Sequence, residues 1–245
     1  MIKYIHKRLE DKLCLNLSSV VFDVDALIPQ NEKEFSETQK LGLYPAEQCV
    51  AFITKQGTPF YQLDNMALVP QGDTKNNLCY GDFVFRQLEV LYIMARMDNE
   101  DAHYWLRDNL FQGSRVDARK KNEYKSKFRG FERKDWKQIQ VEWMKYCLNL
   151  KYRCNSLFRA DLLECNDKLP VEDGTGKNYP SRLFWGAELV EVDGNEYYFG
   201  CNVLGKLLAE LRKNNGVLEY QLPDNMHLFG KPIIHQDLDN KNIHI

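Results

Sequence analysis

The stretch from Arg86 to Asp98 reads R-Q-L-E-V-L-Y-I-M-A-R-M-D and leaves almost no polar face. On a helix, Leu88, Val90, Leu91, Tyr92, Ile93, Met94, Ala95 and Met97 would surround the axis on nearly every side. That pattern belongs to a helix buried within a core, so other elements must wrap around it. Two charges interrupt the run, Glu89 and Arg96. Seven residues apart, they fall on one helical face, about 10 Å from each other. A buried charge is costly unless it is paired or used. The pair therefore either meets partners on neighbouring helices or does chemistry, and the segment alone supports both readings equally.

The rest of the chain narrows the class of protein. Its 245 residues suffice for one large domain with a substantial core. A net charge of -2 provides no global field toward nucleic acid or membrane. No apolar run approaches the roughly 20 residues that span a bilayer, and Met1–Arg8 is too polar for a signal peptide. Seven cysteines form an odd set without a CxxC pair, which points to reduced thiols in the cytoplasm. Neither they nor the five histidines show ligand spacing, so no metal site is expected.

Patterning predicts strands at Val20–Val24 and Cys49–Ile53, with a polar loop or short helix at Gln30–Lys40 between them. A hairpin arm at Leu78–Phe85 leads into the apolar helix, and Asn99–Leu110 continues helically. Gly113–Arg133 is rich in Lys and Arg with little apolar periodicity, as in a solvated face or a phosphate track. A long helix is predicted over Lys134–Tyr152 with Asp135 as its N-cap. Trp136, Ile139, Trp143, Cys147 and Leu150 make its core stripe, and Gln140, Met144, Lys151 and Asn155 run along the edge of that stripe. A lysine in such a place ordinarily snorkels. Further expectations are a helix at Leu157–Cys165, short strands at Leu183–Val192 and Glu196–Gly200, and a helix at Leu204–Lys213. The last thirty or so residues, with Pro223, Gly230 and Pro232, read as a loosely packed appendage.

Seven motifs in order carry a resemblance. They are Leu63-Asp-Asn-Met-Ala; Glu89-x2-Tyr92-x3-Arg96; Asp135-Trp136 with Met144 eight residues on; and Lys151-x3-Asn155. The remainder are Leu162-Leu-x-Cys-Asn-Asp-Lys-Leu-Pro-Val-Glu172, Phe184-Trp-Gly-Ala, and Gly200-Cys-Asn-Val-Leu-Gly-x-Leu-Leu-x-Glu-Leu-Arg212. Together they resemble the NADAR superfamily, which includes YbiA-like proteins, from roughly Cys49 to Lys213. Arg96 matches a branch with Arg where other members carry Lys. The chain departs from the family at three places: Arg182 and Leu183 stand where an acidic residue precedes the Trp-Gly pair, Asp64 where Ser is usual, and Gln140 where Arg is expected.

The resemblance implies a compact, mainly helical α+β domain with short strands at 46–213, an N-terminal extension at 1–45 and a tail at 214–245. It implies a cytoplasmic hydrolase needing no cofactor or metal, cleaving an N-glycosidic bond of an ADP-ribosyl or ribosyl-phosphate substrate. ADP-ribosylated guanine, free or in nucleic acid, and riboflavin-pathway intermediates are the substrate classes it suggests. The alternative is a binding module that holds ADP-ribose without turnover. Carried onto this chain, Glu89 would stabilise charge at the anomeric carbon or activate water. Lys151 would be an amine nucleophile if the mechanism traps ring-opened ribose. Arg96 would anchor phosphate, Asn65 and Asn155 would bond sugar hydroxyls, and Trp185 would stack on a base. Glu172 or Asp173 would stand in for the missing acid. Asn202 would contact substrate or simply form a turn.

Overall fold

The computed structural model describes residues 41–110, 118–177, 182–192 and 194–233. The elements run β1 (Gly42–Pro45), β2 (Cys49–Phe52), β3 (Leu78–Tyr80), β4 (Phe83–Phe85), α1 (Leu88–Met94) and α2 (Glu100–Leu110). Next come α3 (Ala118–Lys127), α4 (Trp136–Cys154), α5 (Ser156–Glu164), β5 (Leu169–Glu172) and α6 (Arg182–Trp185). The order closes with β6 (Glu188–Val192), β7 (Asn195–Gly200), α7 (Val203–Lys213), β8 (His227–Leu228) and β9 (Lys231–Pro232). Helices dominate and the strands are short, so the fold is α+β. Strand β7 lies between β1 and β6, antiparallel to both, β2 pairs with β5 in parallel, and β3–β4 and β8–β9 are hairpins.

Helix α4 is the axis of the core. Trp143, Cys147 and Leu148 are fully buried, as is much of the rest of its circumference, so one stripe understates its burial. Asp135 occupies the N-cap position but does not cap; its carboxylate instead takes the Arg133 guanidinium at 2.8 and 3.0 Å. At the other end Asn155 turns the chain. Its extended backbone stops α4, and its Oδ1 accepts the Phe158 N–H at 2.9 Å to start α5.

The apolar run is buried as its pattern requires, with Leu88, Val90, Leu91 and Met94 in the core. The helix is nevertheless shorter than the run. After Met94 the bonds tighten, Arg96 N–H to the Ile93 carbonyl and Met97 N–H to Met94, and Met97 then forms a β-bridge with Glu132. Arg96 therefore lies beyond α1, not on a common helical face with Glu89. A second correction concerns Leu183–Val192. Residues 182–185 make one helical turn, closed by the Gly186 N–H on the Arg182 carbonyl, and the strand begins only at Glu188.

The segment after α7 is no loose appendage. Leu218, Leu222, Met226, Leu228, Phe229 and Ile233 are buried in the main core. Asn149 on α4 exchanges two 2.8 Å hydrogen bonds with the Leu218 backbone, and Phe229 stacks on Phe83 with ring centroids 3.8 Å apart. Strand β1 likewise pairs with β7, so the division at residue 45 cuts through a sheet. The expected elements at Val20–Val24 and Gln30–Lys40 lie outside the described residues, as do 113–117 of the basic stretch, whose remainder contains α3. Among the described residues no helix is long and apolar enough to cross a membrane.

Candidate functional site

One line of residues along α4 links several parts of the candidate site. Trp136 meets the Tyr92 ring edge-on at 5.2 Å, and Gln140 accepts the Tyr92 hydroxyl at 3.2 Å. Met144 Sδ receives the Asn65 amide at 3.5 Å. Cys147 lies within the field of Glu89: burial pushes its thiol well up, and the Glu89 charge adds to that rise. Lys151 donates to the Asp64 carbonyl at 2.9 Å. The spacing of these positions is that of one helical face, about 22 Å long.

Asp64 and Asn65 join the two residues assigned to chemistry. The Asn65 carbonyl accepts the Glu89 backbone N–H at 2.9 Å, while the Asp64 carbonyl accepts Lys151 Nζ at 2.9 Å. The Asp64 side chain fixes this turn by accepting the Thr54 hydroxyl and the Met66 N–H. The Asn65 Oδ1 atom is buried and has no hydrogen-bond partner among the described residues. That is an expensive state for an amide oxygen, and one that an incoming hydroxyl would relieve.

Lys151 does not snorkel. It is 1% exposed, its Nζ lies 4.7 Å from the Phe158 ring centroid, and burial lowers its pKa to about 7 against the opposing charges of Asp64 and Asp161. Close to neutral pH it is therefore an amine about as often as an ammonium. Asp161 also lines an open cavity of about 450 Å³ together with Phe60, Tyr61 and Gln62; Glu89, Arg96 and Trp185 do not line it.

The half-buried Trp185 meets Tyr92 at 5.7 Å and nearly at right angles, so Trp136, Tyr92 and Trp185 form a chain of rings across α4, α1 and α6. Gly186 explains the Trp-Gly pair, since a Cβ there would run into the Glu172 carbonyl. Glu172 is thereby held beside Trp185, and its carboxylate is 3.8 Å from Lys177. Arg182, in the place of the expected acid, is ion-paired with Glu188 at 3.2 Å. Arg96 is ion-paired with Glu132 at 3.2 Å. Burial raises the Tyr124 phenol, Arg96 lowers it, and Glu132 and Glu89 raise it; the two charges of the apolar run thus share a neighbourhood without sharing a helix.

Asn155 and Asn202, both expected to contact substrate, also hold structural positions. Asn155 is buried and its Oδ1 caps α5. Asn202 is fully buried, sits at the N-cap of α7 with φ 49°, and donates to the Pro170 carbonyl at 2.8 Å. Its left-handed backbone is the turn reading realised. Tyr92, Gln140 and Met144 are site neighbours that sequence reasoning did not place. Their signal was present in the spacing of 140, 144 and 151 along the stripe edge, in register with Glu89-x2-Tyr92.

The NADAR domain model matches residues 51–214, most of the described structure. This chain belongs to the NADAR domain family. A solution structure of the E. coli protein YbiA is similar with a TM-score of 0.49 and 19% identity, over 68% of this chain and 84% of that one. No curated protein matches the chain.

Proposed function

We propose that this chain is an N-glycosidase for an ADP-ribosyl or ribosyl-phosphate substrate, with Glu89 and Lys151 as its catalytic residues. The observation that carries the reading is the convergence on Asp64–Asn65: the backbone N–H of the half-buried Glu89 donates to the Asn65 carbonyl, and the buried Lys151 amine, its pKa lowered to about 7, donates to the adjoining Asp64 carbonyl. In hydrolysis the bond from C1′ to the base nitrogen breaks, its electron pair leaves with the base, and water oxygen bonds to C1′. Glu89 stabilises the positive charge at C1′ and takes the water proton. If the ribose ring opens first, C1′ becomes an imine to the base nitrogen. Neutral Lys151, after releasing the Asp64 carbonyl, adds to C1′, and the base departs carrying the lysine proton. Water then hydrolyses the resulting Schiff base to the ribose aldehyde and free Lys151. Asn65 Oδ1 accepts a sugar hydroxyl, Trp185 and Tyr92 flank the base, and Arg96 binds phosphate.

The base can also leave from a nucleic-acid strand. Phe131 is 48% exposed among exposed Arg129 and Lys134, and the adjoining Glu132 bridges to Met97 beside Arg96. An aromatic ring between cations suits a single strand bearing the modified base.

The test is incubation with ADP-ribosylated guanosine, the same modification in DNA, and riboflavin-pathway intermediates, with base release read by mass spectrometry. We expect release by the native chain and a loss of about 100-fold or more in Glu89→Gln. Borohydride reduction during turnover distinguishes the amine route by leaving a ribosyl adduct on Lys151. Binding of ADP-ribose without any release would replace this reading with that of a binding module. Unchanged turnover in Glu89→Gln would remove the catalytic assignment.

A further inference from the structure

The guanidinium of Arg96 is already occupied by a carboxylate. Its Nη2 lies 3.2 Å from Glu132 Oε1 and 3.3 Å from Oε2, and the two side chains are 40% and 45% exposed. The backbone fixes this encounter. Met97 and Glu132 form a β-bridge, and the Arg133 N–H donates to the Arg96 carbonyl at 2.9 Å. Arg133, the next cation along, does not compete for Glu132, because its fork is held by Asp135 and Asn225. The fork of Arg96 is also incompletely used: its Nε is shielded and has no partner among the described residues.

We propose that Glu132 is a specificity-determining residue, its carboxylate holding the place on Arg96 that a phosphate-bearing ligand takes by displacing it. This rests on the reading of Arg96 as the phosphate anchor. Carboxylate and phosphate oxygens fit the same planar fork, and a guanidinium can use Nε and Nη2 together for a bidentate oxyanion. An ion pair this exposed is worth about 0–1 kcal/mol, so a dianionic phosphate displaces it readily. A neutral or weakly charged ligand gains nothing to offset the exchange. Glu132 therefore raises the threshold for binding and selects for phosphorylated substrates over bare nucleosides.

The experiment titrates the native chain, Glu132→Gln and Arg96→Gln with ADP-ribose by calorimetry, at low and at physiological salt. Circular dichroism confirms that each variant is folded. We expect Glu132→Gln to bind about two- to fivefold more tightly, the change in affinity that corresponds to the upper half of the range for an exposed pair. Arg96→Gln should bind much more weakly, and the gain in Glu132→Gln should shrink with salt. A purely structural pair would leave affinity in Glu132→Gln unchanged or reduced, which overturns the proposal. Failure of both the native chain and Glu132→Gln to bind overturns it too. Base release separates this inference from the glycosidase reading. Turnover with an unaltered KM in Glu132→Gln removes the competition and keeps the enzyme, whereas tighter binding without any turnover keeps the competition and removes the enzyme.

Discussion

Replacing Lys151 with Met should make the protein more stable at neutral pH, and the gain should fall as pH rises. Burial lowers the Lys151 pKa from 10.5 to about 7, which disfavours the charged form in the folded state by roughly 5 kcal/mol. The unfolded chain binds this proton more tightly than the folded one between pH 7 and 10.5. Stability from this group is therefore lowest below pH 7 and recovers as the amine is neutralised in both states. At pH 7 the native chain carries a cost of about 4 kcal/mol, and at pH 9 about 2 kcal/mol. Methionine removes that cost but gives up the hydrogen bond to the Asp64 carbonyl. The carbonyl keeps the Ala67 N–H at 3.1 Å, so the loss is about 1 kcal/mol. The variant should thus be about 3 kcal/mol more stable at pH 7 and about 1 kcal/mol more stable at pH 9. Urea unfolding of both proteins under reductant from pH 6 to 9.5 measures this, and the raised thiols and phenols common to both cancel in the difference. A difference that does not change between pH 7 and 9 would show that Lys151 keeps an ordinary pKa, and with it would go the amine role.

Two further substitutions test the placement of residues around the site. Asn155→Ala removes the cap of α5 at a buried position and should destabilise by about 1–2 kcal/mol, read as a lower Tm; no change in Tm would argue against the cap. Phe229→Ala should cost about 3–5 kcal/mol in urea unfolding, because the ring is buried, stacks on Phe83 and meets the His103 ring edge-on. A loss below about 0.5 kcal/mol would instead be that of a peripheral surface residue.

Local patterning made the main helices, the β3–β4 hairpin and the family visible in the sequence, because each rests on short-range periodicity. What it missed depends on pairing at long range. The end of α1 is dictated by the bridge from Met97 to Glu132, 35 positions away, and nothing between Arg86 and Asp98 encodes it. Leu183-Phe-Trp has the composition of a strand and folds as a helical turn because Gly186 must lie against the Glu172 carbonyl. The tail looked detached because its apolar residues are spaced without a period; they are held by single contacts to α2, α4 and β4, not by a repeating face. Asn155 and Asn202 matched the motifs of the resemblance, but a motif does not reveal that Asn155 also caps α5 or that Asn202 also donates to the Pro170 carbonyl.

The edge of the α4 stripe explains why fold and site are hard to separate in this chain. Positions along that edge are buried, so the polar groups there are desolvated and must find partners within the protein. Gln140, Met144 and Lys151 occupy that edge, and each binds a residue from another part of the chain: Tyr92, Asn65 and Asp64. Moving α4 by one residue would rotate all three by 100° and break these contacts together. Packing of the adjacent stripe, through Trp143 and Leu150, thus fixes the register of the candidate chemistry. The Glu89 backbone N–H bonds the Asn65 carbonyl, which ties the start of α1 to the same turn. A core substitution on α4 that shifts this helix should therefore weaken ligand binding before it unfolds the protein, while one that only leaves a cavity should lower stability alone.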